Sequence, residues 1–372
     1  MSSVLKRSSA LLLCFSVAAC DVPRGAGFEG EVLAVKDDQQ AGEVVAYPFE
    51  VIDITRETQA LVSRWPSSNG RAYNWPSRVE QPASIIIEPG DLLSIAVWDA
   101  EENSLLTGPG QQVASLERMR VNSEGRIFLP FVGEMKVSGM SPQTARSRIE
   151  EEYNYSIPSA QVQIDVVPGR ANTADIVGGV SAPGSYPLQD RNVSVLSLIA
   201  LGGGVPSNLN NPQVKLFRGS NRYTISLERL YADPSLDTIV RGGDRVIVEK
   251  DSRTFLSLGA AGSEALHEFP TDDVNALEAL AIVGGVADDR ANPKGILILR
   301  EYPNSAIRAN GTGPTRNRVV FTIDLTTADG LFSAGQFHIQ PGDLIYATES
   351  PVNSARTIMG ILGSAIGIAN RL

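Results

Sequence analysis

Shifted by 81 positions, the second half of this chain matches itself, and that limits the fold to one assembled from duplicated small units. Val177-Gly178-Gly179-Val180 meets Leu258-Gly259-Ala260-Ala261. Leu196-Ser-Leu-Ile-Ala-Leu-Gly-Gly-Gly-Val205 meets Leu277-Glu-Ala-Leu-Ala-Ile-Val-Gly-Gly-Val286, and Asn211-Pro212 meets Asn292-Pro293. Each copy reads as strand, short helix, glycine stop and further strands, over 172–250 and 252–350. The helices are expected over Val193–Leu201 and Val274–Val283. Gly202 to Gly204 follow a helix, so they fit a left-handed cap; a phosphate loop would follow a strand and open a helix. The second copy is longer, and the polar stretch 303–318, with Gly311, Gly313 and Pro314, is the expected insertion.

A short phrase punctuates the chain three times. It is Glu88-Pro89-Gly90-Asp91, then Arg241-Gly242-Gly243-Asp244, then Gln340-Pro341-Gly342-Asp343, each followed by an apolar run. Proline suits the second position of a β-turn and glycine the third position of a type II turn. Each phrase is a sharp turn feeding a strand. Asp91, Asp244 and Asp343 are therefore expected to cap their own backbone, and catalysis is the weaker reading. With Pro89, Gly90, Gly243, Pro341 and Gly342 they form the structural turn set.

Length and composition set outer limits. At 372 residues, with 42% hydrophobic and 20% charged content, there is room for two or three domains with real cores. The 34 glycines and 22 prolines favour many short strands, and the expected class is α+β and β-rich. A net charge of −10 argues against a nucleic-acid partner. Two cysteines and two histidines exclude a Cys-rich zinc site, and no metal or other cofactor is implied. Three adjacent acid pairs, Glu101–Glu102, Asp272–Asp273 and Asp288–Asp289, lie in polar connections and read as solvated surface. His267 and His338 lack a serine or cysteine pattern around them, and no Walker loop appears, so no enzyme is expected.

Residues 1–19 read as an export signal: Lys6 and Arg7, a short apolar core from Ala10 to Val17, then Val17-Ala18-Ala19-Cys20. Small residues before a cysteine resemble the lipobox of bacterial lipoproteins, which implies cleavage before Cys20 and its acylation as a lipid anchor. An ordinary secretory peptide is the other reading. Asp21, in enteric lipoproteins, argues for retention in the inner membrane. Residues 20–81 form a weakly patterned lead in which short strands or loops are expected. Arg64-Trp65-Pro66-Ser67 and Asn74-Trp75-Pro76-Ser77 echo each other there. Tryptophan beside proline suits an extended segment packing its ring on a neighbour, with sugar stacking as the alternative.

The tail 355–372 segregates on a helix. Ile358, Met359, Ile361, Leu362, Ile366 and Ile368 share one face; Gly360, Gly363, Ser364, Gly367, Asn370 and Arg371 share the other. Its eighteen residues would reach roughly 27 Å, close to a bilayer core. Such a helix suits a ring of copies with lipid outside and a wet lumen inside, or a terminal helix packed on the protein.

Residues 82–168 carry a resemblance. Ile86-Ile87-Glu88-Pro89-Gly90-Asp91, Val121-Asn122-Ser123-Glu124-Gly125-Arg126-Ile127, Phe131-Val132-Gly133, a helix opening at Ser141-Pro142 with Ala145, Ile149 and Tyr153 on one face, and the alternating Gln161–Val167 occur in order. This run resembles the polysaccharide export domain of Wza-type outer-membrane exporters. The repeats resemble the soluble-ligand-binding β-grasp units that follow that domain. The resemblance implies a lipid-anchored outer-membrane protein, mostly periplasmic. It further implies a homo-oligomeric ring in which the tail crosses the membrane, with Gly360, Gly363, Ser364, Gly367, Asn370 and Arg371 lining the pore. It is nearest to exporters serving ABC-transporter-dependent capsule systems. The implied partners are a capsular or exopolysaccharide substrate and an inner-membrane co-polymerase or ABC-exporter adaptor. A periplasmic ligand- or glycan-binding lipoprotein without a pore, or a structural envelope protein, remains open at this point.

Overall fold

The computed structural model describes residues 25–34, 49–68, 75–99, 106, 111–158, 160–308 and 310–352. The signal segment, Cys20, Glu101–Glu102 and the tail 355–372, with all of its pore-lining and lipid-facing residues, lie outside the described residues. Among those described, no helix is long and apolar enough to cross a membrane. The structure is mixed α+β and rich in strands, and it divides into two compact units, Met1–Ala72 with Ser252–Leu372, and Tyr73–Asp251.

The lead departs from its expectation of strands or loops. It forms α1 (Glu29–Leu33), β1 (Glu50–Asp53) and α2 (Arg56–Val62). Local capping explains the helices: Thr55 Oγ1 accepts from Thr58 N at 3.4 Å, and the Glu31 carboxylate accepts from Phe28 N at 3.0 Å.

The unit 73–251 opens with β2 (Leu92–Trp98), β3 (Val113–Arg120), β4 (Arg126–Leu129), β5 (Gly133–Lys136), α3 (Pro142–Asn154) and β6 (Gln161–Val167). One sheet has the order β3-β2-β6 and a second pairs β4 with β5. The Asn122–Gly125 turn forms as read, with Asn122 Oδ1 accepting from Arg126 N at 2.8 Å, but its flanking strands enter different sheets. Ser141 caps α3, Pro142 is its first residue, and Ala145, Ile149 and Tyr153 are buried against β2 and β6 residues. The unit continues with β7 (Thr173–Val177), β8 (Gly184–Pro187), α4 (Val195–Leu201), β9 (Gln213–Arg218), β10 (Asn221–Ser226), α5 (Leu227–Ala232) and β11 (Arg245–Glu249). These strands make one sheet in the order β10-β9-β11-β7-β8, with β11 parallel to β7 and the other neighbours antiparallel.

In the other unit, 252–350 forms β12 (Thr254–Gly259), β13 (Ala265–Glu268), α6 (Ala276–Ile282), β14 (Ala291–Glu301), β15 (Arg318–Ile323), α7 (Ala328–Ala334) and β16 (Leu344–Glu349). The sheet order is β1-β15-β14-β16-β12-β13. Without β1 it has the same order, and the same single parallel pair, as the sheet of 172–250. The glycines after α4 and α6 act as helix stops: Gly203, Gly204, Gly284 and Gly285 have φ between 75 and 83°, and Gly204 N and Gly285 N bond back to Ile199 O and Leu280 O. The added length of the second copy falls in one hairpin. Gly219 and Ser220 join β9 to β10, whereas residues 302–317 join β14 to β15.

Candidate functional site

The three aspartate turns are one device used three times. In each, the carboxylate accepts from the backbone N–H three residues back: Glu88, Arg241 and Gln340, all at 2.8 Å. The glycines before the aspartates have φ of 96, 82 and 91°. Each glycine N–H bonds a carbonyl beside it, of Val121, Thr173 or Thr254, at 2.8–2.9 Å. All three aspartates are at most 2% exposed. A buried carboxylate must be hydrogen-bonded, and the local turn satisfies only part of it.

The remaining bonds distinguish the turns. Asp91 accepts from Gly169 N at 2.6 Å and Asn172 Nδ2 at 2.9 Å, which ties the turn to the segment leaving β6. There is room only for glycine at 169, where a Cβ would lie 2.5 Å from the Gly90 carbonyl oxygen. Asp244 and Asp343 each take an arginine fork. Arg218 donates through Nε at 3.1 Å and NH2 at 2.7 Å, and Arg300 through Nε at 2.9 Å and NH2 at 2.7 Å. Each fork also reaches a carbonyl, of Ile239 or His338, at 2.8 Å. Burial opposes the Arg300 charge, but attraction and hydrogen bonding to Asp343 more than restore it, and its pKa rises. The Arg300 guanidinium also lies over Phe321 and Phe337 at 5.1 and 5.0 Å.

These arginines were not singled out in the sequence. The signal was there, but displaced: Arg218 and Arg300 differ by 82 rather than 81, because a bulge between Ala291 and Ile296 adds a residue to β14. The second turn lacks the proline of its siblings for a steric reason: a Cβ on Gly242 would overlap the Ala171 carbonyl.

Clefts open beside these turns. One of about 590 Å³ lies within the unit 73–251, lined by Ile85, Ile86, Glu88, Asp190, Arg191 and Arg241. Another of about 610 Å³ lies within the unit holding 252–352, where Val32, Phe49, Leu299, Val320 and Leu344 make the wall largely apolar.

Neither cleft holds a catalytic set. Asp272 corrects the reading of a solvated acid pair: it is 7% exposed and paired with Arg253 at 3.1 Å, while Asp273 is exposed. His267 gains a neighbour through the fold. The pairing of β12 with β13 brings Ser257 Oγ to 2.8 Å from His267 Nε2, a neighbour ten residues away that no sequence motif signals. Ser257 is fully buried and its hydroxyl also donates to Ser263 O at 2.5 Å, so no substrate reaches it. Among the described residues no cluster is suited to a metal ion. The tryptophans pack. Trp65 meets Tyr302 edge-on at 6.0 Å and donates to Gly311 O at 3.1 Å; Trp75 donates to Leu236 O at 2.6 Å.

Residues 79–167 match the family model described as polysaccharide biosynthesis/export protein. This segment is similar to that family over its whole matched length. It spans β2 to β6, the sheets and helix that Asp91 closes. Along nearly its whole length the chain is also similar to curated polysaccharide export proteins. It is 24% identical to the capsule polysaccharide export protein BexD of Haemophilus influenzae over 97% of this chain and 95% of that protein. The capsule polysaccharide export outer membrane protein CtrA of Neisseria meningitidis serogroup B gives the same identity and coverage. The Vi polysaccharide export protein VexA/TviF of Salmonella typhi is 24% identical over 90% of each chain. The resemblance to Wza-type exporters read from residues 86–166 is the one these comparisons find, and the relatives are transport proteins rather than enzymes.

Proposed function

We propose that this chain is an outer-membrane exporter of capsular or exopolysaccharide, acting as a homo-oligomeric ring around a channel. The observation that carries the reading is collinearity: the similarity to capsule export proteins runs from end to end, not through the export domain alone. Acylated Cys20 anchors the mature chain. The export domain, 82–168, faces the periplasm and meets an inner-membrane co-polymerase or ABC-exporter adaptor. The units 172–250 and 252–350, β-grasp-like in strand order, build the periplasmic wall. The helix 355–372 crosses the membrane with Gly360, Gly363, Ser364, Gly367, Asn370 and Arg371 toward the lumen. Closed cyclic symmetry places the stability of the ring in subunit contacts. The work is passage rather than chemistry, and the net charge of −10 suits a wall along which a polymer slides.

Electron microscopy of the detergent-purified protein tests this. Rings are expected, lost or unable to insert when 355–372 is removed. Single monomeric particles, unchanged by that deletion, would instead support a periplasmic ligand- or glycan-binding lipoprotein without a pore.

A further inference from the structure

The two repeat sheets are finished differently at one edge. In the sheet of 252–350, β1 lies parallel to β15, with Glu50, Val51, Ile52 and Asp53 opposite Val319, Val320, Phe321 and Thr322. Ile54 N donates to Thr322 O at 2.9 Å, and the Asp53 carboxylate accepts from the Thr322 hydroxyl. Register fixes the equivalents in the other sheet. Val214 and Ile225 correspond to Ile296 and Ile323, because each pair is aligned and followed by the same neighbour in β11 or β16. Val320 and Thr322 therefore correspond to Arg222 and Thr224 of β10. That strand ends its sheet with nothing paired beyond it. The Thr322 carbonyl points outward to β1, so the backbone of Arg222 and Thr224 points outward from β10. Among the described residues nothing bonds to it.

An open edge is an attachment site for an extended chain. We propose that β10 takes a parallel strand from a different protein, one that carries carboxylates opposite Arg222 and Thr224. The acidic character follows from the row of side chains that such a strand would join. Arg222, Phe217 and Arg245 lie directly across from one another on one face, and both arginines are exposed. The corresponding row of the sister sheet is Val320, Leu299 and Leu344, and there β1 presents Val51. Thr224 repeats the hydroxyl that holds Asp53. β1 of a second copy is already used on that copy's own β15, so it is not the strand lent. The proposal does not depend on channel formation.

The test uses the full chain and a fluorescent peptide copying Phe49–Thr55, in its native form and with Val51→Glu. Saturable binding is expected, at least threefold tighter for the Val51→Glu peptide, because that position faces Arg222. Thr224→Pro removes only an outward N–H and so leaves the β9 pairing intact; it should weaken binding at least tenfold. Arg222→Glu, a surface change that keeps every backbone bond, should reverse the preference between the peptides. Circular dichroism and Trp75 fluorescence report that both variants stay folded. No saturable binding, equal binding to both variants, or loss of self-association in Thr224→Pro would each overturn the proposal, the last by assigning the edge to a second copy.

Discussion

The repeats of 172–250 and 252–350 share a strand order, a parallel central pair, helix stops and a buried turn aspartate held by an arginine fork, yet among the described residues the lead closes only the second. The row Arg222, Phe217, Arg245, Asp175 in one sheet corresponds to Val320, Leu299, Leu344, Leu256 in the other. Apolar side chains on the outer face must be covered, and the lead does this, with β1 along the edge and Val32 of α1 beside Leu299, Val320 and Leu344, where the Tyr346 hydroxyl oxygen accepts from Gly27 N at 2.8 Å. Arginine needs no such cover. The difference teaches that duplication preserved the backbone plan while a handful of outward positions decided what each copy binds.

The largest expected contrast lies in the two arginine forks. Arg300 and Asp343 are 2% and 1% exposed at the side chain; Arg218 and Asp244 are 19% and 3%. Removing one member of a deeply buried pair leaves an uncompensated charge, so Arg300→Met should destabilise its unit by about 3–5 kcal/mol. Arg218→Met, where water reaches the remaining carboxylate more easily, should cost about half as much. Denaturant titration separates them, because Trp65 reports the unit of 252–352 and Trp75 and Trp98 the other. Equal costs would mean that the forks are energetically equivalent despite their burial.

Trp65→Ala should follow at about 3 kcal/mol, since the ring is 9% exposed among Tyr302 and Phe321. It should also lower the hydrogen-exchange protection of residues 302–317, which supply its indole acceptor. Replacing the turn glycines comes next. Gly90, Gly243 and Gly342 have open space where a side chain would stand, so valine introduces backbone strain alone, about 1–2 kcal/mol at each. Similar losses at the three positions, by the same titration, would show that the turn device is common to the export domain and both repeats.

The smallest effect belongs to the lead. Burial first, then Asp53 and Asp324, raise the Glu29 pKa. A carboxyl with a raised pKa contributes stability below its unfolded value and loses it as pH rises through the folded value. Docking of α1 should weaken as pH leaves the acid range, and Glu29→Gln should abolish that dependence. Exchange protection of residues 26–33 against pH measures it.

Much of the frame was legible where a single residue type has a single physical use. Gly203 and Gly284 could only follow a helix in a left-handed conformation, Ser141-Pro142 could only open one, and Asp91, Asp244 and Asp343 bond their own turns as such residues do. The rest depended on partners remote in sequence. α2 is a seven-residue helix that packs against α7, so no periodicity announces it. Asp272 looked like half of a solvated pair because its arginine lies on the far side of a hairpin. Arg218 and Arg300 were hidden by one bulge residue. Cys20 and the tail 355–372 lie outside the described residues, and the lipid-anchor and pore-lining roles proposed for them rest on sequence pattern and resemblance.

The most direct measurement is the surface polysaccharide of the bacterium that makes this protein, before and after deletion of its gene, by labelling intact and permeabilised cells. Intact cells should lose their label while permeabilised cells retain it, and the full-length chain should restore export. Undiminished surface polysaccharide in the deletion strain would contradict the assignment.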